Sequence, residues 1–222
     1  MRKLGLIGFL ALALPMLVVS QASATSITYN LTWDQCTGGC GTSPFGQITL
    51  NDNNTTGNVA VSVMLFDGNK LIDSGFAGAF GFNLLGNPSI SVTGLPSGFS
   101  LLSSTAGSNH FDGLGFFDYA ITGPPPNNPF SGTLSFNVLA TGITVASFAD
   151  LSATPANKQA FFVADILSGT TGNTGPVGAI AACATTDCNQ QLLENPEPST
   201  LILFASGLLI AASGIRKLAK PA

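Results

Sequence analysis

Along the middle of the chain, apolar and polar positions alternate with a period of two, as expected of strands that bury one face. Val59, Val61, Val63 and Leu65 fall on one such face, and Leu134, Phe136 and Val138 on another. Short runs rich in Val, Ile, Thr and Phe at 27–33, 47–50, 59–66, 80–85, 89–93, 99–102, 116–121, 133–140 and 160–167 predict strands. Gly, Pro, Asn and Ser separate them. One stretch, 143–151, spaces Ile143, Val145, Phe148 and Leu151 near the helical period, which predicts a short helix between two late strands. Consecutive prolines remove ladder donors, so Pro124-Pro125-Pro126-Asn127-Asn128-Pro129 reads as an exposed loop. The Gly- and Thr-rich segment 169–178 reads as a flexible link after the last strand. The expected fold is mainly β, an antiparallel β-sandwich with one short helix.

Both ends of the chain break this pattern with continuous apolar runs. Arg2 and Lys3 precede an uncharged run over residues 4–19, followed by Ala22-Ser23-Ala24. A basic start, an apolar stretch and a small-x-small site make a signal peptide. Signal peptidase and the general secretion machinery are the partners this implies, with cleavage after Ala24 and recognition through Ala22 and Ala24. At the other end, Asn195-Pro196-Glu197-Pro198-Ser199 leads into an uncharged run over 201–215, closed by Arg216, Lys217 and Lys220. As a helix that run rises about 22 Å, short of a hydrocarbon core of roughly 30 Å. Ser199, Thr200 and snorkelling of Arg216 and Lys217 cover part of the deficit, giving a transmembrane helix at about 199–215. The basic end favours a cytoplasmic tail, which leaves the body and the extended Pro-Glu-Pro segment outside.

This three-part tail resembles the PEP-CTERM sorting signal of Gram-negative bacteria that make extracellular polysaccharide. The matching residues are Pro196, Glu197, Pro198 and Ser199, the apolar run, and the basic pair Arg216 and Lys217. Asn195, where a small apolar residue is frequent, and the closing Pro221-Ala222 depart from the commonest form. The resemblance implies recognition by exosortase, a multi-spanning membrane protein thought to cleave near the motif. The chain is then exported across the inner membrane, anchored transiently, and passed to the cell surface or extracellular matrix. Domain organisation follows: signal peptide 1–24, exported β-domain 25–190, sorting signal 191–222.

Only 8% of the 222 residues are charged, against 45% hydrophobic, with 26 Gly and 13 Pro, which excludes coiled coils and highly charged disordered chains. Between residues 25 and 195, ten acidic residues face two basic ones, Lys70 and Lys158, a net of −8. A nucleic-acid partner is therefore not expected.

Cys36, Cys40, Cys183 and Cys188 form two close pairs, and export makes disulfides the expected state. Three connectivities are open. Local pairing closes small loops worth about 2 kcal/mol each, whereas an end-to-end bond would constrain a loop of roughly 150 residues and contribute about 5 kcal/mol. Proximity favours local pairing, because residues four or five apart in a turn reach the required Cα separation. A four-cysteine zinc site lacks the usual C-x-x-C spacing.

Chemistry-bearing residues are few. His110 is the single histidine, with Asp112 and Asp118 nearby, and the bland reading is a loop histidine with turn carboxylates. No Gly-x-Ser-x-Gly elbow occurs. Asn51-Asp52-Asn53-Asn54 is oxygen-rich but lacks the spacing of a calcium loop, and reads as a hairpin turn. Trp33, Tyr29 and Tyr119 are the aromatics best suited to stack on sugars, while the 14 body phenylalanines suit a core. No catalytic residue, metal or cofactor is expected. The expected role is structural or adhesive, in the envelope or extracellular polysaccharide matrix; the alternatives are a secreted carbohydrate-binding module and, third, a secreted hydrolase.

Overall fold

The computed structural model describes residues 25–53, 55–75, 77–102 and 107–180. The signal peptide with Ala22 and Ala24, the pair Cys183 and Cys188, the motif Pro196 to Ser199, the apolar run and the tail residues Arg216 and Lys217 lie outside the described residues. Among the described residues, no helix is long and apolar enough to cross a membrane.

The body is mainly β, in antiparallel sheets, an arrangement that fits a β-sandwich. Its strands are β1 (Ser26–Leu31), β2 (Trp33–Asp34), β3 (Gly46–Asn51), β4 (Asn58–Leu65), β5 (Lys70–Leu71), β6 (Phe80–Phe82) and β7 (Ser91–Thr93). They continue with β8 (Ser100–Leu102), β9 (Asn109–Phe111), β10 (Gly115–Phe117), β11 (Tyr119–Thr122), β12 (Leu134–Leu139), β13 (Phe162–Leu167) and β14 (Thr174–Ala179). A five-stranded sheet runs β1-β3-β4-β12-β7. A seven-stranded sheet runs β2-β14-β13-β6-β11-β8, with β5 also on β13. The third, β9-β10, is a hairpin.

The two alternating runs of the sequence become neighbours: Leu134, Phe136 and Val138 of β12 stand opposite Val63, Val61 and Val59 of β4. Both rows turn into one core with Ile48 and Leu50 of β3. From the other sheet come Phe80, Phe82, Tyr119, Ile121, Phe162, Ala164 and Ile166. The rings interlock across the two layers, Tyr29 against Phe162 at 4.8 Å and Phe80 against Phe136 at 6.1 Å between centroids, both edge-on.

Several expectations are corrected. The run at 27–33 is not one strand: Thr32 interrupts it, donating to the Gly178 carbonyl at 3.0 Å as the chain passes from one sheet to the other. The run at 116–121 divides likewise at Asp118 into β10 and β11. The helix expected over 143–151 is a single 3₁₀ turn, Val145–Phe148. In that tighter helix residues three apart eclipse, so Val145 and Phe148 are the turn's own core residues; Ile143, just before it, is buried as well, and Leu151 stays exposed.

The flexible link expected at 169–178 overlaps all but the last residue of β14, which pairs along its whole length with β13. Its glycines are required by close approach: a Cβ at Gly175 would lie 2.7 Å from the Cα of Cys36, and one at Gly178 2.7 Å from Leu114 Cδ2. Pro176 is tolerated because its partner Asp165 sends its own N–H to Ala79 and accepts from Ile72, so no donor is demanded there.

Candidate functional site

Alternation that buries Val59, Val61 and Val63 turns the residues between them outward, and pairing register lines those up across the five-stranded sheet. Thr28, Thr49, Ser62 and Ser135 stand abreast on β1, β3, β4 and β12. The adjacent row crosses all five strands as Ser26, Asn51, Ala60, Asn137 and Thr93. Asn30, Gln47 and Met64 form a third row, in which Gln47 Nε2 donates to Asn30 Oδ1 at 3.4 Å. None of these side chains is charged.

A groove of about 320 Å³ crosses β3, β4 and β12 on this face. Ala60, with the smallest side chain of its row, lies in the lining between Asn51 and Asn137, and Thr49, Ser62 and Ser135 continue it. The side chains of Val61 and Phe136 are buried in the core, so these two residues line the groove through their backbone. Gly94 lies at the β7 end of the lining at φ +78°, where a Cβ would come 3.6 Å from Asn137 Nδ2 and the missing side chain leaves that end open. Asn51 Oδ1 accepts the Asn53 N–H at 2.7 Å, which fixes that side chain and leaves its Nδ2 as a donor. Such a surface offers hydroxyls and amides over a small apolar floor: it can hydrogen-bond a neutral polar ligand and cannot ion-pair.

The sequence-selected aromatics do not join it. Tyr29 is buried in the core, and burial raises its pKa. Tyr119 is also buried, donates its hydroxyl to the Pro88 carbonyl at 2.5 Å, and has its pKa pushed up to about 12 by burial and then by the Asp118 charge. Trp33 packs against the cluster of Phe111, Leu114 and Phe117 on the far side of the seven-stranded sheet, with Lys158 Nζ 5.7 Å from its ring centroid. No sugar-stacking platform is built from these three.

Catalytic candidates are separated too. His110 is exposed on β9, its ring 4.6 Å from that of Phe116. Asp112 lies in the β9-β10 turn, and Asp118 follows the far end of β10, beyond the Phe117–Asn109 pair. At a strand rise of about 3.4 Å per residue, that places the two carboxylates at opposite ends of the hairpin rather than across one site. Asp118 Oδ1 accepts the Gly107 N–H at 2.8 Å, while burial, outweighing that bond, raises its pKa. The run Asn51-Asp52-Asn53 forms the turn between β3 and β4, where Thr55 N–H donates to the Asp52 carbonyl and Thr25 N–H to the Asp52 carboxylate.

Cys36 and Cys40 form a disulfide, Cα atoms 5.6 Å apart, which is the local pairing. Asp34 organises its loop: one carboxylate oxygen accepts the Cys36 N–H and the other the Cys40 N–H, each at 2.8 Å. The turn between β13 and β14 grips the loop through Ser168 Oγ on the Cys40 carbonyl and Asn173 Nδ2 on that of Gly39, both at 2.8 Å. Asp34, Cys36 and Cys40 bring ligand-type atoms within 4.8 Å of one another. With both sulfurs in the disulfide and both oxygens accepting N–H groups, the trio is a structural clasp and not a metal centre.

Asp165 on β13 is a titratable group that the sequence did not single out. It is fully buried, and its Oδ2 accepts both the N–H and the hydroxyl of Ser74 at 2.6 Å. Among the described residues its Oδ1 has no hydrogen-bond partner. Burial pushes its pKa up to about 6, with Asp73 adding to the rise and the two Ser74 bonds opposing it. Closed off from solvent, this carboxyl is a feature of stability rather than of a ligand site.

Comparison with protein-family models, with curated proteins and with solved structures gave no match to this chain.

Proposed function

We propose that this chain is an exported, exosortase-sorted protein with a structural or adhesive, non-catalytic role in the cell envelope or extracellular polysaccharide matrix. The observation that carries the adhesive part is the outer face of the five-stranded sheet, hydroxyl- and amide-lined, free of charge and grooved. Polysaccharide hydroxyls need such partners, and weak contacts repeated over many molecules retain a protein in a polymer. Export and sorting are supported by Ala22 and Ala24 at one end, and by Pro196, Glu197, Pro198 and Ser199 with Arg216 and Lys217 at the other. A carbohydrate-binding module is the second reading, favoured by the Ala60 groove; it differs in requiring a defined sugar rather than a bulk polymer.

The test follows the protein through membrane, matrix and medium fractions of the native host in three forms. Wild type should lose residues 1–24 and its basic tail by intact mass and collect in the matrix. Replacing Pro196, Glu197 and Pro198 with Ala should leave it unprocessed in the membrane. The double variant Thr49→Glu, Ser135→Glu should be processed normally yet pass from matrix to medium with its β circular dichroism unchanged. Normal processing of the Ala variant would defeat the sorting claim, and matrix retention of the Glu variant the adhesive one.

A further inference from the structure

We propose that the notch over Ala60 is a binding subsite for a short stretch of neutral glycan laid across β3, β4 and β12; this rests on the matrix reading above. At about 320 Å³ the groove is at the small end of ligand-sized pockets, room for a few sugar units at most. Its chemistry is that of a sugar's complement. The Ala60 methyl gives a flat apolar floor for ring C–H groups. Asn51 and Asn137, one strand away on either side, stand about 10 Å apart at the usual strand spacing and offer amides to hydroxyls on both edges. Thr49, Ser62 and Ser135 supply a parallel row of hydroxyls.

Charge selects the class of occupant. The body's two cations lie away from this face: Lys70 is on β5, in the other sheet, and Lys158 sits over Trp33. With ten acidic residues between 25 and 195 and, among the described residues, no cation at the groove, a polyanion is repelled, whereas a neutral polymer is not. A second copy of this chain is a poor occupant. Association would need apolar area, and among the side chains turned outward on the three rows the one exposed large hydrophobic is Met64. Direction is set as well: Gly94 keeps the β7 end open beside Asn137, so the glycan runs along the Asn51-Ala60-Asn137 row towards Thr93.

The experiment is affinity electrophoresis of the mature protein from the native host, in gels holding dextran, galactomannan, hydroxyethylcellulose or the polyanion alginate. Wild type should be retarded by at least one neutral polymer and not by alginate. Ala60→Tyr, which fills the notch with a residue that suits a strand, should weaken that retardation about tenfold, and Asn137→Ala by a smaller factor. Ser91→Tyr, on the same face beside Leu139 and outside the groove, should bind as wild type. Retardation by alginate alone, or by no polymer, would overturn the matrix reading together with the subsite. Undiminished retardation of both Ala60→Tyr and Asn137→Ala would overturn the subsite and leave the matrix reading standing. Concentration-dependent dimerisation lost in Ala60→Tyr would assign the face to a second copy and overturn the subsite.

Discussion

The two large sheets solve opposite problems with the same strand geometry. In the five-stranded sheet each long strand alternates, β3, β4 and β12 burying every second residue and turning small polar groups outward. In the seven-stranded sheet β13 and β14 are buried on both faces, because the β9-β10 hairpin and the segment around Ala160 cover the outer side with Phe111, Leu114 and Phe117. One sheet therefore spends its outer face on packing, and the other keeps its outer face open. Substitutions at outward positions should accordingly cost stability in the first sheet and function in the second.

The largest effect is expected from Phe117→Ala. Phe117 is fully buried and meets Phe111 edge-on at 5.5 Å, so the cavity left should lower unfolding free energy by about 3–5 kcal/mol, measured by denaturant titration. A loss below about 1 kcal/mol would mean that the hairpin is a loose cover and that the contrast between the sheets is weaker than drawn.

Asp165 gives the next effect, through pH. Its folded-state pKa of about 6 lies above the ordinary 3.8, so the folded protein binds the proton more tightly than the unfolded chain. Its contribution is therefore full below pH 3.8 and is lost as pH rises through 6. The shift corresponds to about 3 kcal/mol between acidic and neutral solution. Asp165→Asn should flatten the stability profile across that interval. An unchanged slope in the variant would place the titration elsewhere.

Reduction of the Cys36–Cys40 bridge should have a smaller effect, about 2 kcal/mol for so short a loop. Because Asp34, Ser168 and Asn173 hold the loop by hydrogen bonds, the seven-stranded sheet should persist after reduction, detectable as unchanged far-ultraviolet circular dichroism below a lowered melting point. The smallest change belongs to the open face: Ser62→Ala should fall within about 0.5 kcal/mol of wild type.

This contrast also explains what could be read from the chain. Alternation is visible only where one face is wet, so β4 and β12 were legible as strands down to which residues point inward. β14 was not. Its composition, Thr174 to Ala179 with two glycines and a proline, signals a loop, and the reason for those residues is tertiary: Cys36 and Leu114 press against the positions where Gly175 and Gly178 stand. The 3₁₀ turn carries a helical signal in the sequence, since Val145 and Phe148 three apart satisfy either spacing and Leu151 adds a coincidental fourth position. The local cysteine pairing was legible because four residues in a turn bring Cα atoms into bonding range without help from the rest of the fold. The candidate site lay hidden for another reason. Thr49, Ala60, Ser62, Ser135 and Asn137 are individually unremarkable polar and small residues, and only the β3-β4-β12 register sets them side by side. Trp33, Tyr29 and Tyr119 drew attention by residue type, yet packing claims all three.

The central claim, that the open face of the five-stranded sheet is the working surface, is tested most directly by mapping amide chemical-shift changes while the mature protein is titrated with a neutral polysaccharide. The account predicts shifts concentrated at Thr49, Asn51, Ala60, Ser62, Ser135 and Asn137, with the β9-β10 hairpin unmoved. Shifts centred instead on Trp33, His110 or Phe116 would contradict it, and would move the function to the opposite side of the molecule.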